Sequence, residues 1–206
     1  MRIISGQFRS RRLIPPSEKA ATRPITDRVK ESVFNHLREQ FEGTNVIDLF
    51  CGTGSLGLEA LSLGAGHVLF VERTRETGRR LKQNLEGLGI EPAQYDIVTG
   101  DALSPVWLRQ VREPVQVVFF DPPYALMSNE RTAAGVMTQM DRLAGSVSAD
   151  GFVLLRTAWP MDEGTVAVSL ESPTGALVGP ETVTYKTMAV HFYQPASSPD
   201  SQPSSG

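Results

Sequence analysis

The sequence predicts an α/β fold whose sheet is mostly parallel and covered by helices on both faces. From residue 45 onward, short apolar runs alternate with stretches of helical periodicity. Strands separated by helices imply right-handed crossovers and therefore parallel neighbours. The first apolar run ends in a glycine-rich turn that opens a helix, at the strand end where open α/β sheets meet their ligands.

The elements follow in chain order. Residues 1–25 read as an arm: Arg2-Ile3-Ile4 can pair as a short strand, and Arg9-Ser10-Arg11-Arg12 before Pro15-Pro16 reads as a basic loop with a stiff end. Residues 26–41 predict a helix. Val29, Val33, Phe34, Leu37 and Phe41 fall on one face, Thr26 suits the N-cap, and Glu42-Gly43 closes it. Val46–Phe50 is a strand, followed by the helix Leu56–Leu63. His67–Glu72 is the second strand. The helix after it covers about residues 75–88, with Leu81, Leu85 and Leu88 inward. Tyr95–Thr99 is the third strand, and a short helix follows Asp101. Val115–Phe120 is the fourth strand, ending at Asp121. A helix near 130–144 and a strand at 151–157 come next. Residues 164–170 and 181–193 are strand-like with no helix between them, so an antiparallel hairpin at the sheet edge is the simplest reading. The sum is seven strands, the terminal one antiparallel. The organisation expected is a basic arm and helix over 1–42, a body over 43–194, and a disordered tail over 195–206 that has no core-forming side chain.

The composition sets the class. The chain has 206 residues, 40% hydrophobic and 21% charged, which fits one soluble domain with a core of adequate size. No apolar run approaches the roughly 20 residues of a membrane span. Met1–Gly6 lacks the apolar centre of a signal peptide. The single cysteine, Cys51, leaves no intrachain disulfide, so a reducing, cytoplasmic setting is expected. The formal charge of −3 is unevenly spread. Residues 1–40 hold nine Lys/Arg against four acids, and the remainder holds 11 against 19. A net-positive N-terminal end on an acidic body points to a polyanionic partner there.

Two motifs carry chemistry. In Asp48-Leu-Phe50-Cys-Gly52-Thr-Gly54-Ser-Leu-Gly57, the glycines let the backbone turn sharply and approach a ligand closely. Glu72 ends the second strand, 24 residues on, where an acid can accept from both hydroxyls of a ribose. An adenosine-containing cofactor follows. A dinucleotide would set its diphosphate against the carboxylate of Asp48. S-adenosylmethionine has no phosphate and carries a sulfonium and an ammonium, which suit that carboxylate. Asp101 can accept from an adenine amino group, or cap the helix that follows it. No phosphate-binding lysine motif is present, which argues against nucleoside triphosphate hydrolysis.

The second motif is Asp121-Pro122-Pro123-Tyr124, at the end of the fourth strand. Its prolines remove two N–H donors and stiffen the backbone. The carbonyls and the Asp121 carboxylate remain as acceptors, and Tyr124 supplies a flat face. Such a site suits a planar group bearing an exocyclic amine. Hydrogen bonds from that amine to Asp121 and the Pro122 carbonyl free its lone pair for attack on a sulfonium methyl.

Together the two motifs resemble the amino-group S-adenosylmethionine methyltransferases, which act on adenine N6, cytosine N4, guanine N2 or glutamine amide nitrogens. Arg2-Ile-Ile-Ser-Gly6, Arg9-Ser-Arg-Arg-Leu13 and Arg23-Pro-Ile-Thr-Asp-Arg-Val-Lys-Glu31 are similar to blocks of the RsmD family of small-subunit ribosomal RNA (guanine-N2) methyltransferases, a likeness that covers residues 1–195. The resemblance implies a Rossmann-like methyltransferase fold. It places the methyl donor on Asp48, Phe50, Gly52 and Gly54, its ribose at Glu72 and its adenine at Asp101-Ala102. It puts Arg23 and Thr26, within Arg23–Arg28, over the cofactor. It gives target-amine binding to Asp121, Pro122, Pro123 and Tyr124, and RNA-backbone contact to Arg2, Arg9, Arg11 and Arg12. The implied partner is ribosomal RNA or the small subunit, with no membrane, no metal and nothing asking for more than a monomer. DNA adenine or protein glutamine as target, or a non-catalytic RNA-binding assembly factor, stand as alternatives. Two positions depart from the pattern: Ser10 stands where glycine is expected, and Arg156 where an acid is common. Cys51 reads as a small filler, and His36, His67 and His191 lack metal-ligand spacing.

Overall fold

The computed structural model describes residues 1–17, 25–160 and 169–196. Its centre is a seven-stranded sheet of order β3-β2-β1-β4-β5-β7-β6. The strands are β1 (Asn45–Leu49), β2 (His67–Glu72), β3 (Tyr95–Thr99), β4 (Val115–Phe120), β5 (Val147–Ala158), β6 (Leu177–Thr184) and β7 (Met188–Pro195). The first five are mutually parallel, and β7 inserts antiparallel between β5 and β6.

The period-two alternation of the buried strands sorts their side chains onto two faces. Val46, Val68, Phe70, Val117 and Phe119 pack on one side with α1 (Asp27–His36), α2 (Gly57–Ser62) and α3 (Arg75–Leu88). The arm joins this cluster through Ile3 and Leu13. Ile47, Leu69, Val71, Val118 and Phe120 face the opposite way. They meet α5 (Glu130–Ala144) and Trp107 of the 3-10 segment Pro105–Gln110.

Several boundaries differ from those expected. The first helix stops at His36, capped by Thr26 as expected. A 3-10 turn at Arg38–Gln40 then tightens the chain and brings the Phe41 ring to 5.3 Å from Phe34. β5 begins four residues before Gly151, which lies where a Cβ would meet the Gln116 carbonyl oxygen at 2.7 Å. The edge hairpin exists, but Leu177–Thr184 and Met188–Pro195 form it. The stretch 181–193 therefore contains the turn: Tyr185 N–H donates to the Met188 carbonyl at 2.8 Å, and the Tyr185 hydroxyl donates to Ser32 of α1. Of the expected strand 164–170, residues 164–168 lie outside the described residues, and 169–170 are not extended in the sheet. Residues 197–206 also lie outside them.

The arm is a small hairpin, with an Arg2–Arg12 bridge and Ile3 N–H donating to the Arg11 carbonyl. Ser10 closes it at φ 70°, the left-handed conformation that explains why glycine suits this position. Gly6, at φ 73°, lies so close to α2 that a Cβ would overlap the Ser62 carbonyl. The strongest attachment is one the sequence did not reveal. Glu59 of α2, wholly buried, accepts from Ile4 N–H at 3.0 Å and Ser5 N–H at 2.6 Å, and pairs with Lys30 of α1 at 2.8 Å. Lys30 in turn donates to the Arg2 carbonyl.

Candidate active site

Parallel register assembles the site. Leu49 pairs with Val71 on one side and Phe120 on the other, and Phe120 pairs with Leu155. The next residue of each strand therefore falls in one row across the carboxyl edge: Arg156, Asp121, Phe50, Glu72. Glu72 pairs with Thr99, which puts Asp101 just beyond the row. The two motifs, more than 60 residues apart in the chain, become neighbours, and Asp121 N–H donates to the Leu49 carbonyl.

Asp48 lies one step beneath this row, almost fully buried. Its Oδ2 accepts from Gly57 N–H at 2.8 Å, which ties the end of β1 to the start of α2. Its Oδ1 is buried and has no hydrogen-bond partner among the described residues. Burial pushes its pKa up to about 8, and the charges of Asp121 and Glu72 push the same way. The loop above is bent hard. Phe50 takes φ 58°, a conformation uncommon outside glycine. Gly52 is left-handed too, and a Cβ there would meet nothing within 4 Å, so the backbone is bare toward open space. Gly57 is required for packing instead: a Cβ would lie 2.3 Å from the Phe70 ring. Glu72 braces the loop, accepting from Gly52 N–H at 3.1 Å and from Thr74.

The remaining expected residues fall as follows. Asp101 is exposed at the edge. It does not cap the following helix: its carboxylate accepts from Leu103 N–H in a local turn, and Ser104 caps the 3-10 segment. Ala102 is buried, and its carbonyl accepts from the Trp107 indole. Thr26 uses its hydroxyl on Val29 N–H as the N-cap of α1. Arg23 lies outside the described residues. Cys51 is buried and its thiol is pushed well above the usual range by that burial, as befits a filler.

Asp121 has a partner that the sequence flagged without a role. Arg156 Nε donates to Asp121 Oδ1 at 2.5 Å. The guanidinium also lies 5.6 Å from the Tyr124 ring centroid and 3.5 Å from its hydroxyl. Burial raises the pKa of Asp121, and the Arg156 charge opposes that rise. Pro123 leads into α4 (Tyr124–Met127), whose first turn aims the tyrosine from the strand end. A small pocket adjoins this group on the α1 face, walled by Ile25, Leu56, Phe119, Val190 and Arg156.

On the arm, Arg9 and Arg12 are exposed. Arg11 donates to the Gly87 carbonyl at the end of α3, and Arg2 pairs with Asp27 on the surface. Lys30, counted among the basic residues of this end, is consumed by its buried pair with Glu59.

This strand order, with a bent glycine loop after β1 and acceptors ending β4, is the Rossmann-like fold of methyltransferases. The family model described as conserved hypothetical protein 95 matches residues 1–163. The chain belongs to this RsmD-like family. It is 33% identical over 195 residues to YlbH of Bacillus subtilis, covering 94% of this chain and 98% of that protein. It is 40% identical over 124 residues to ribosomal RNA small subunit methyltransferase D of Escherichia coli K12, covering 60% of each chain. The solved structure of Escherichia coli yhhF matches with a TM-score of 0.69 and 28% identity, covering 95% of this chain and 97% of that one. No helix among the described residues is long and apolar enough to cross a membrane. No group of His, Cys, Asp and Glu among them could hold a metal.

Proposed function

We propose that this chain transfers a methyl group from S-adenosylmethionine to the exocyclic N2 amine of a guanine in small-subunit ribosomal RNA. The observation that carries the reading is the register row that brings Asp121 beside the bent loop of Asp48, Phe50 and Gly52. The name of the Escherichia coli relative supports the class of RNA. The residues present fit a cationic donor: Asp48 Oδ1 is buried without a partner, Gly52 is bare, and Glu72 and Asp121 add negative charge within the same edge.

When bound, S-adenosylmethionine supplies a methyl group activated by its sulfonium. Asp48 offers a carboxylate to the positive end of the donor. Glu72 stands at the end of β2 for the ribose hydroxyls, and Asp101-Ala102 marks the adenine side. Asp121 and the Pro122 carbonyl accept the N–H bonds of the target amine and turn its lone pair outward. Tyr124 stacks on the base, which must leave its own stack to reach this depth. Arg9, Arg11 and Arg12 bind phosphates, with Arg2 at their edge, so affinity falls as salt rises.

Transfer of a labelled methyl group into small-subunit RNA or partly assembled subunits tests this, followed by nucleoside mass analysis for N2-methylguanosine. Label entering only DNA or protein overturns it. Asp121→Ala is expected to lower turnover by about 10²–10³-fold while leaving donor affinity within a few-fold. An equal loss of donor affinity contradicts the role given to Asp121.

A further inference from the structure

The carboxyl edge gathers three carboxylates, Asp48 from β1, Glu72 from β2 and Asp121 from β4. Among the described residues, Arg156 of β5 is the one cation in ion-pair contact with this group. Its side chain is 5% exposed, against 19% for Asp121, so the pair sits where solvent screens weakly. A buried cation must be matched by a counter-charge, and Asp121 supplies it.

The geometry does more than neutralise. The guanidinium donates from Nε to Asp121 Oδ1, which fixes the rotation of the carboxylate about its own bond. Nη1 lies 3.5 Å from the Tyr124 hydroxyl and 3.9 Å from the Met188 sulfur, and the guanidinium carbon lies 5.6 Å from the Tyr124 ring centroid. One planar group therefore touches both the acceptor and the stacking surface of the target pocket. A lysine ammonium offers one charge and no planar fork, so it cannot hold both in register.

We propose that Arg156 is a positioning residue for methyl transfer: it holds the Asp121 carboxylate oriented and ionised as an acceptor and backs the Tyr124 ring against which the target base stacks. This rests on the reading that Asp121 receives the target amine. Arg156 acts on the reaction through Asp121 and Tyr124. Its charge and its hydrogen bond work against the burial of Asp121, which favours protonation. A protonated Asp121 loses acceptor strength toward the amine, so the rate should fall on the acid side.

The test is the single-turnover methylation rate as a function of pH for wild type, Arg156→Met and Arg156→Lys, with donor affinity measured by calorimetry. For Arg156→Met, the acid limb should move up by at least one pH unit and the plateau rate fall at least tenfold, with donor affinity within threefold. For Arg156→Lys, the limb should stay within half a unit of wild type, because a charge remains. Its plateau should still fall severalfold, because the fork is lost. A Met variant with the wild-type limb and plateau overturns the proposal. Should Arg156→Met fail to fold, Arg156→Lys decides alone: a plateau equal to wild type overturns it, and a lowered plateau on an unmoved limb supports it. If wild type itself methylates no RNA, the functional reading fails. If wild type is active and both variants match it, only the role of Arg156 fails.

Discussion

Replacing Glu59 by glutamine should loosen the arm from the body and cost more stability than most single substitutions. The carboxylate has no exposed surface, and it holds Lys30 Nζ at 2.8 Å together with the N–H groups of Ile4 and Ser5. Glutamine removes the charge, so Lys30 remains buried without a counter-ion. It also turns an NH₂ donor toward backbone donors. Removing one partner of a buried ion pair costs about 3–5 kcal/mol. Total stability of a domain is only about 5–15 kcal/mol. At about 2–4 °C per kcal/mol for a chain of this size, a 4 kcal/mol loss lowers Tm by roughly 8–16 °C. Urea unfolding of Glu59→Gln, Lys30→Met and the double variant measures it. The double variant should be more stable than the sum of the two losses implies, with a coupling of at least about 2 kcal/mol, since it strands no charge. Trypsin cleavage after Arg9, Arg11 and Arg12 should accelerate in each single variant, because the hairpin loses its backbone acceptor. A cost below about 1 kcal/mol for Glu59→Gln, or additive losses, would refute the claim that this pair fastens the arm.

Three further outcomes follow from local geometry. Ser10→Gly relieves a left-handed serine at φ 70° and should stabilise the protein by about 1 kcal/mol, read as a higher urea midpoint with unchanged slope. His191 is buried between the Thr157 and Thr182 hydroxyls, each 2.9 Å away, and burial lowers its pKa from 6.5 to about 4. The unfolded chain therefore binds the extra proton between those values, and stability should drop by up to about 3 kcal/mol as pH falls from 6.5 to 4. A His191→Gln variant should show a flatter dependence over that window, and an equally steep one contradicts the assignment. Asp48, with its pKa near 8, is mostly protonated at pH 7 in the free protein. Binding a sulfonium ligand should release up to one proton there, and affinity should climb with pH toward 8. Calorimetry in buffers of different ionisation enthalpy reads this directly. Release persisting in Asp48→Asn assigns the proton to another group.

The charge asymmetry of the chain acquires a different meaning once folded. The basic surplus of residues 1–40 suggests a uniformly cationic arm. Lys30 is spent internally on Glu59, and Arg2 is matched by Asp27. The exposed guanidiniums of Arg9, near the turn of the hairpin, and Arg12, opposite Arg2, remain. Part of the acidic surplus of the body is gathered at one place. Asp48, Glu72 and Asp121 share the carboxyl edge because parallel strands end together there.

Much of this was legible in the sequence because it depends on local pattern. Alternating apolar runs and helices specify a parallel sheet, a glycine-rich turn after a strand marks a ligand loop, and Asp121–Tyr124 at a strand end marks an acceptor site. These signals depend on residues within a few positions of each other, where sterics and periodicity act directly. Long-range pairing was not legible. Nothing near Glu59 announces that its carboxylate lies beneath Ile4 and Ser5. Arg156 stood out only as a departure until register placed it beside Asp121. Phe50 reads as an ordinary strand residue, yet it takes a glycine-like conformation that the surrounding packing imposes. The division of 181–193 by a turn depends on Tyr185 reaching Ser32, more than 150 residues away. Sequence determines which chemistry is present and on which elements it sits. Tertiary structure decides which groups meet, because ion pairing, desolvation and backbone strain depend on distance in space rather than along the chain.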